Sequence, residues 1–230
     1  MGVARQIRAL ALGAGLLTAP ALAQEQQPSG THAPPAAHGP HGFTDAERWA
    51  KVFDDPARDQ WQKPDEVVAA LALKPTDVVA DVGAGTGYFS VRLARAVPQG
   101  EVLAADISED MVAYLEQRAR AEGLANLAAV HAGAASPNLP EKADLVLLVD
   151  TYHHIGGRSA YFRGLKASLK PGGRVAIIDF RLDSPAGAPR HMRISRAQIE
   201  QEMAEAGYRL AQAHDFLPRQ NFLIFTPASN

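Results

Sequence analysis

The chain contains no cysteine. That excludes disulfides, thiolate nucleophiles, cysteine-ligated zinc and lipidated cysteine. It also lacks an excess of positive charge: 23 lysines and arginines face 25 aspartates and glutamates, a formal net charge of −2. A dedicated nucleic-acid binder needs basic surface to neutralise phosphates, so nucleic acid is not an expected partner. Beyond residue 23 no apolar run approaches the ~20 residues needed to span a bilayer; the longest conspicuous one covers residues 145–149. What is present is a 230-residue chain, 47% hydrophobic and 21% charged. That balance fits one globular domain with appendages.

The appendages come first. Arg5 and Arg8 precede an apolar stretch over residues 9–19, and Ala21-Leu22-Ala23 has a small-x-small cleavage pattern. Residues 1–23 therefore read as a secretory signal peptide, which places the mature protein in the periplasm or outside the cell and leaves no stable membrane span after leader removal. The two arginines are not adjacent, which fits a general secretory signal. If translation instead starts farther in, at a valine codon such as Val3 or Val52, the protein is cytoplasmic. Residues 24–42 are rich in Pro, Gly, Gln, Ala and His without apolar periodicity, the composition of a flexible linker. His32, His38 and His41 lie there with no carboxylate or cysteine at ligand spacing, so no metal site is expected. The ordered domain is expected over residues 43–230.

Thr44-Asp45-Ala46-Glu47 fits a capping box, with Trp49, Val52 and Phe53 following at helical spacing. Asp54-Asp55-Pro56 ends that helix, and a second is expected over 64–73. From Asp77 short β-rich runs alternate with helical ones. Strands are expected at 78–82, 101–105, 127–131, 145–149 and 174–180, and helices at 88–96, 109–122 and 161–169. Strands alternating with helices imply parallel pairing with both faces covered. A helix over 195–206, stopped at Gly207, precedes two runs, 208–216 and 221–226. Their short connection makes them antiparallel. The expected fold is α/β: a Rossmann-like seven-stranded, mostly parallel sheet with helices on both faces and a terminal antiparallel strand pair.

The chemistry concentrates after the first strand. An apolar run meets Asp81, then passes Gly83, Gly85 and Gly87 before a helical pattern starts at Tyr88. Glycines allow a ligand to lie against bare main chain, and in open parallel sheets ligands sit beyond the strand carboxyl ends. Asp106, at the end of the second strand, can accept hydrogen bonds from both hydroxyls of a ribose; the competing reading is a helix N-cap, for which Ser108 is at least as good. A dinucleotide fingerprint requires glycine where this chain has Tyr88. A carboxylate at Asp81 is poorly placed for pyrophosphate and well placed for an ammonium group. A cofactor carrying adenosine and an amino acid meets both demands.

The segment Asp81-Val82-Gly83-Ala84-Gly85-Thr86-Gly87, Asp106, the run Asp144-Leu145-Val146-Leu147-Leu148, and Leu169-Lys170-Pro171-Gly172-Gly173-Arg174 carry a resemblance. Over residues 43–226 the chain resembles the class I S-adenosylmethionine-dependent methyltransferases, and among them small-molecule methyltransferases similar to the quinone-biosynthesis group. The resemblance implies S-adenosylmethionine as cofactor and a small-molecule methyl acceptor as partner. It places Asp81 at the methionine amino group, Gly83, Ala84, Gly85 and Gly87 around the methionine portion, Asp106 on the ribose and Ile107 on the adenine. Many relatives carry an acid near the adenine after the third strand. Here His131-Ala132-Gly133-Ala134-Ala135 has alanines, so adenine contact falls to backbone groups of Gly133 and Ala134.

Asp150 and residues 151–155 are expected to face the transferred methyl. His153 or His154 can serve as general base on an acceptor hydroxyl or amine, or can simply line the pocket, because methyl transfer from a sulfonium needs little beyond in-line placement. Residues 61–64 read equally as a lid or a connecting turn. The basic loop over 181–196 reads as contact for an acidic acceptor or as solvated surface. Secretory export passes unfolded chains while the donor is made in the cytosol. A non-catalytic S-adenosyl-ligand-binding module of the same fold therefore stands as the alternative.

Overall fold

A computed structural model describes residues 45–228. The expected leader (1–23), linker (24–42), its histidines and Thr44 lie outside those residues. The strands are β1 (Val78–Val82), β2 (Glu101–Asp106), β3 (Leu127–His131), β4 (Ala143–Val149), β5 (Leu169–Phe180), β6 (Tyr208–His214) and β7 (Gln220–Pro227). They form one sheet in the order β3-β2-β1-β4-β5-β7-β6. The first five are parallel, while β7 pairs antiparallel with both β5 and β6. The expected architecture is therefore present.

Side-chain alternation explains the layers. On one face Val79, Val102, Ala104, Leu145, Leu147, Ala176 and Ile178 pack beneath α3 (Pro64–Ala70), α4 (Ser90–Ala96) and α5 (Glu109–Ala121) through Val67, Leu93 and Leu115. On the other, Val78, Ala80, Leu103, Val146, Leu148, Val175 and Ile177 pack beneath α6 (Arg158–Leu165) and α7 (Arg196–Glu205) through Phe162, Leu165, Ile199 and Met203. Every residue of β1 is buried, because a central parallel strand is covered on both faces.

Several boundaries differ from expectation, most by one to three residues. Strand β5 starts at Leu169 rather than at Arg174, so Pro171-Gly172-Gly173 lies inside the strand. The register against β4 shifts there between Ala143 and Leu145, and Gly172 adopts φ +79°. The C-terminal part of the expected 161–169 helix is a 3-10 turn over Lys166–Ser168. The stretch after Pro56 continues helically, as a 3-10 turn (Pro56–Arg58) and α2 (Asp59–Gln62).

Helix α1 (Ala46–Phe53) is capped by Asp45, whose side chain accepts the Arg48 N–H. Its Trp49 and Phe53 pack with Met111 and Tyr114 on α5. Among the described residues no helix is long and apolar enough to cross a membrane.

Leu147 is fully buried in the middle of the sheet. Leu147→Ala is expected to destabilise the fold by about 2–5 kcal/mol, whereas Val52→Ala, on the exposed side of α1, stays within about 0.5 kcal/mol. Urea unfolding midpoints check both.

Candidate active site

Topology brings four carboxylates into one row. Strands β2, β1, β4 and β5 are consecutive neighbours, and each carries an aspartate within one residue of its carboxyl end: Asp106, Asp81, Asp150 and Asp179. With strands ~4.8 Å apart, the four acids crowd the carboxyl edge, where the chain crosses from β3 on one side back to β4 on the other.

Asp81 is buried, and its Oδ2 accepts the Ser90 hydroxyl at 2.6 Å. Burial raises its pKa to about 6, against the lowering influence of Ser90, and the Asp106 charge raises it further. The loop that follows turns tightly. The Gly83 and Ala84 N–H groups both donate to the Ala105 carbonyl, and Gly83 has φ +74°. A Cβ on Gly83 would lie 2.3 Å from Thr151 Oγ1. Gly85 also has a positive φ, and a Cβ there would meet the Phe53 ring at 3.4 Å. Gly87 differs in kind: it is buried, and its missing Cβ makes room for Leu115 of α5, at 2.8 Å. Thr86, between them, has a buried hydroxyl with no hydrogen-bond partner.

Asp106 accepts the Gly85 N–H on Oδ2 at 2.8 Å and the Ser108 N–H on Oδ1 at 2.9 Å. Burial raises its pKa despite those backbone hydrogen bonds. Ser108, not Asp106, caps α5, accepting the Met111 N–H. Beside it Ile107 is 59% exposed, a large apolar side chain left open at a strand end. Gly133 is less available than the sequence implied: its N–H donates to the Ser136 carbonyl in a tight local turn. Ala134 is exposed.

Asp150 sits in a left-handed conformation, φ +54°, one residue past β4. Such strain in a non-glycine residue persists only where surroundings over-determine it. Its N–H donates to the Ile178 carbonyl, and its Oδ1 accepts Gln220 Nε2 at 2.6 Å. Burial pushes its pKa up, with Arg58 opposing and Asp179 adding.

His153 and His154 form a 3-10 turn with Tyr152 directly after this residue. They part company there. His154 is exposed. The His153 side chain is only 4% exposed, and its Nδ1 lies 2.8 Å and 3.0 Å from the two Asp179 oxygens. Because a carboxylate only accepts, Nδ1 carries the proton and Nε2 has the free lone pair. Burial lowers the His153 pKa, but the hydrogen bond and charge of Asp179 outweigh it and the net shift is upward.

The sequence reading missed a second set. Asp179 interrupts an otherwise apolar run, the same signal that marked Asp81, and was overlooked. Arg58, Gln62 and Gln220 were also missed. Arg58 Nε and Nη2 donate to Gln62 Oε1, Gln62 Nε2 donates to Gln220 Oε1 at 2.7 Å, and Gln220 continues to Asp150. Both glutamines are buried. Residues 61–64 join α2 to α3 through Lys63 and also form part of a strap over the strand ends. Trp61 packs on Phe180 at 5.7 Å between ring centres, and the Arg219 guanidinium lies over the Trp61 ring, 5.1 Å from its centre. In the basic loop, Arg193 donates to the Ala188 and Ser184 carbonyls and Arg181 to the Leu217 carbonyl, so both hold the loop together.

Residues 79–173 match the family model described as a methyltransferase domain. The chain is 25% identical to a SAM-dependent methyltransferase from Aquifex aeolicus of known crystal structure, with a TM-score of 0.72 over 79% of this chain and 97% of that one. Matched stretch and fold alike are those of the class I S-adenosylmethionine-dependent methyltransferases. Methyltransferase relatives include two ubiquinone/menaquinone biosynthesis C-methyltransferases UbiE. That of Ectopseudomonas mendocina (strain ymp) is 29% identical over 182 residues, which is 70% of this chain and 68% of the relative. That of Pasteurella multocida (strain Pm70) is 31% identical over 105 residues, 44% of this chain and 39% of the relative. The chain thus spans from about two-fifths to about two-thirds of the length of these curated relatives.

The raised Asp81 pKa has a stability consequence. The folded state holds this proton more tightly than the unfolded chain, so stability is lost as pH rises from 3.8 through about 6. Asp81→Asn removes that titration. It is expected to stabilise the ligand-free protein at pH 7 by up to about 3 kcal/mol and to flatten the slope in that window, read from denaturant unfolding across pH.

Proposed function

We propose that this chain transfers a methyl group from S-adenosylmethionine to a small-molecule acceptor. The observation that carries the proposal is the cradle at the carboxyl edge. The half-buried loop over residues 83–85, bare of side chains at Gly83 and Gly85, lies between Asp81, which a cation would relieve, and Asp106, which retains acceptor capacity beyond its two backbone donors. The orphaned Thr86 hydroxyl and the exposed Ile107 side chain fit the same ligand, the first beside its polar end and the second against its base.

When bound, the sulfonium supplies an electrophilic methyl group for in-line displacement. Asp81 holds the donor's ammonium group, and Asp106 orders the ribose. The strap over residues 45–63 excludes water from the strand ends. His153, its Nδ1 proton fixed by Asp179, takes a proton from the acceptor at Nε2. Asp179 acts through His153 and is a positioning residue. The UbiE relatives are C-methyltransferases by name; the acceptor atom for this chain follows from which substrate presents its proton to His153. Export belongs to the same proposal, on the strength of the leader pattern, and mass spectrometry of the mature chain is expected to find Gln24 at its N-terminus.

Equilibrium dialysis with labelled S-adenosylmethionine is expected to show one donor retained per chain, weakened at least tenfold by Asp106→Ala. Absence of retention by folded protein overturns the proposal. With an acceptor in hand, the kcat–pH profile tests the base. Activity rises with pH through the elevated His153 pKa. Asp179→Asn removes the group that elevates it, so the limb moves to lower pH while kcat falls. A profile indifferent to Asp179 excludes His153 as the base.

A further inference from the structure

Resting on the donor reading above, we propose that Arg58 is the anchor for the carboxylate of the donor's amino-acid end, which makes the N-terminal strap part of the donor site.

An α-amino acid brings a negative group as well as an ammonium. At an edge already crowded with four aspartates, that carboxylate needs a cation with spare donors. The neighbouring cations differ in whether a carboxylate already holds them at hydrogen-bond distance. Arg118 is engaged by both Asp54 oxygens, Glu122 and the Thr86 carbonyl. Lys63 pairs with Glu66, and Arg92 with Asp59. Arg58 is different. Of its five N–H groups, Nε–H and one on Nη2 go to Gln62, and one on Nη1 goes to the Phe53 carbonyl at 3.0 Å. Its Asp150 neighbour is 3.8 Å away, beyond hydrogen-bond distance. One N–H remains on each terminal nitrogen, the pair that a carboxylate takes in bidentate fashion.

Three contacts place this fork beside the glycine loop. Phe53, which accepts from Nη1, covers Gly85. The guanidinium lies 4.1 Å from the ring centre of Tyr88, the residue after Gly87. Asp150 stands on its other side. Its side chain is 14% exposed. Burial lowers its pKa, while Asp150 and Asp81 raise it. Asp81 for the ammonium and Arg58 for the carboxylate therefore form a matched pair across the loop. The family-matched stretch, 79–173, contains the first and not the second.

The test is calorimetry on the full chain with two ligands, S-adenosylhomocysteine and its decarboxylated amine. Wild type is expected to prefer the first by about 10- to 100-fold. Arg58→Met is expected to abolish that preference while leaving affinity for the amine within about twofold. Arg58→Lys, which keeps charge but not the fork, restores part of it. Asp81→Asn acts at the ammonium that both ligands share, so it weakens both and preserves their ratio.

Hydrogen exchange gives an independent readout on wild type: S-adenosylhomocysteine protects residues 53–62, and the amine does not. Equal weakening of both ligands in Arg58→Met, an unchanged ratio, or equal protection by both ligands overturns the anchor. Binding of neither ligand by folded wild type overturns the donor reading itself, a distinct result.

Discussion

Burying carboxylates is costly unless something opposite in charge compensates them, and this fold buries a row of them. Asp81, Asp106, Asp150 and Asp179 are set side by side by the strand order, not by choice of loop. The protein compensates each differently. Ser90 and backbone amides serve Asp81 and Asp106, Gln220 serves Asp150, and the His153 ring with two backbone amides serves Asp179. The compensation is incomplete at the centre of the row, where Asp81 and Asp150 both have raised pKa values. An edge left in that condition has a physical use for a cationic ligand. The glycine loop, the strap and the histidine turn are all arranged around it.

Much of this was legible from sequence because the signals are local and strong. Short β-rich runs between helical segments gave β1 and β3 at their observed bounds. The glycine spacing after Asp81 marked a ligand loop, and the short connection before Gln220 implied the antiparallel pairing of β6 and β7. What escaped has a common cause. Arg58, Gln62 and Gln220 act through contacts as distant as 158 residues along the chain, and no periodicity encodes such a partner. The packing behind the loop glycines escaped as well: a Cβ on Gly83 would meet Thr151 and one on Gly87 would meet Leu115, neighbours that spacing does not name. Of the backbone groups expected at Gly133 and Ala134, the Gly133 N–H donates to the Ser136 carbonyl, a local turn the sequence did not announce.

The two histidines show the difference clearly. As neighbours in sequence they were equivalent candidates. In the fold one of them enters a buried pair with an aspartate from the next strand, and the other stays at the surface. The distinguishing residue, Asp179, was visible as a lone acid within an apolar strand. Its meaning depended on knowing that β5 lies beside β4.

The Gln62–Gln220 bond joins residues that precede the first strand to the start of the last one, directly above Asp150. Material from both flanks of the shared methyltransferase stretch thus meets at the same few atoms. The matched portion supplies the glycine loop and its aspartates, whereas both glutamines of the knot lie outside it. An exchange at either glutamine therefore alters how firmly the strand ends are enclosed, and how Arg58 is held, without touching a single glycine of the loop.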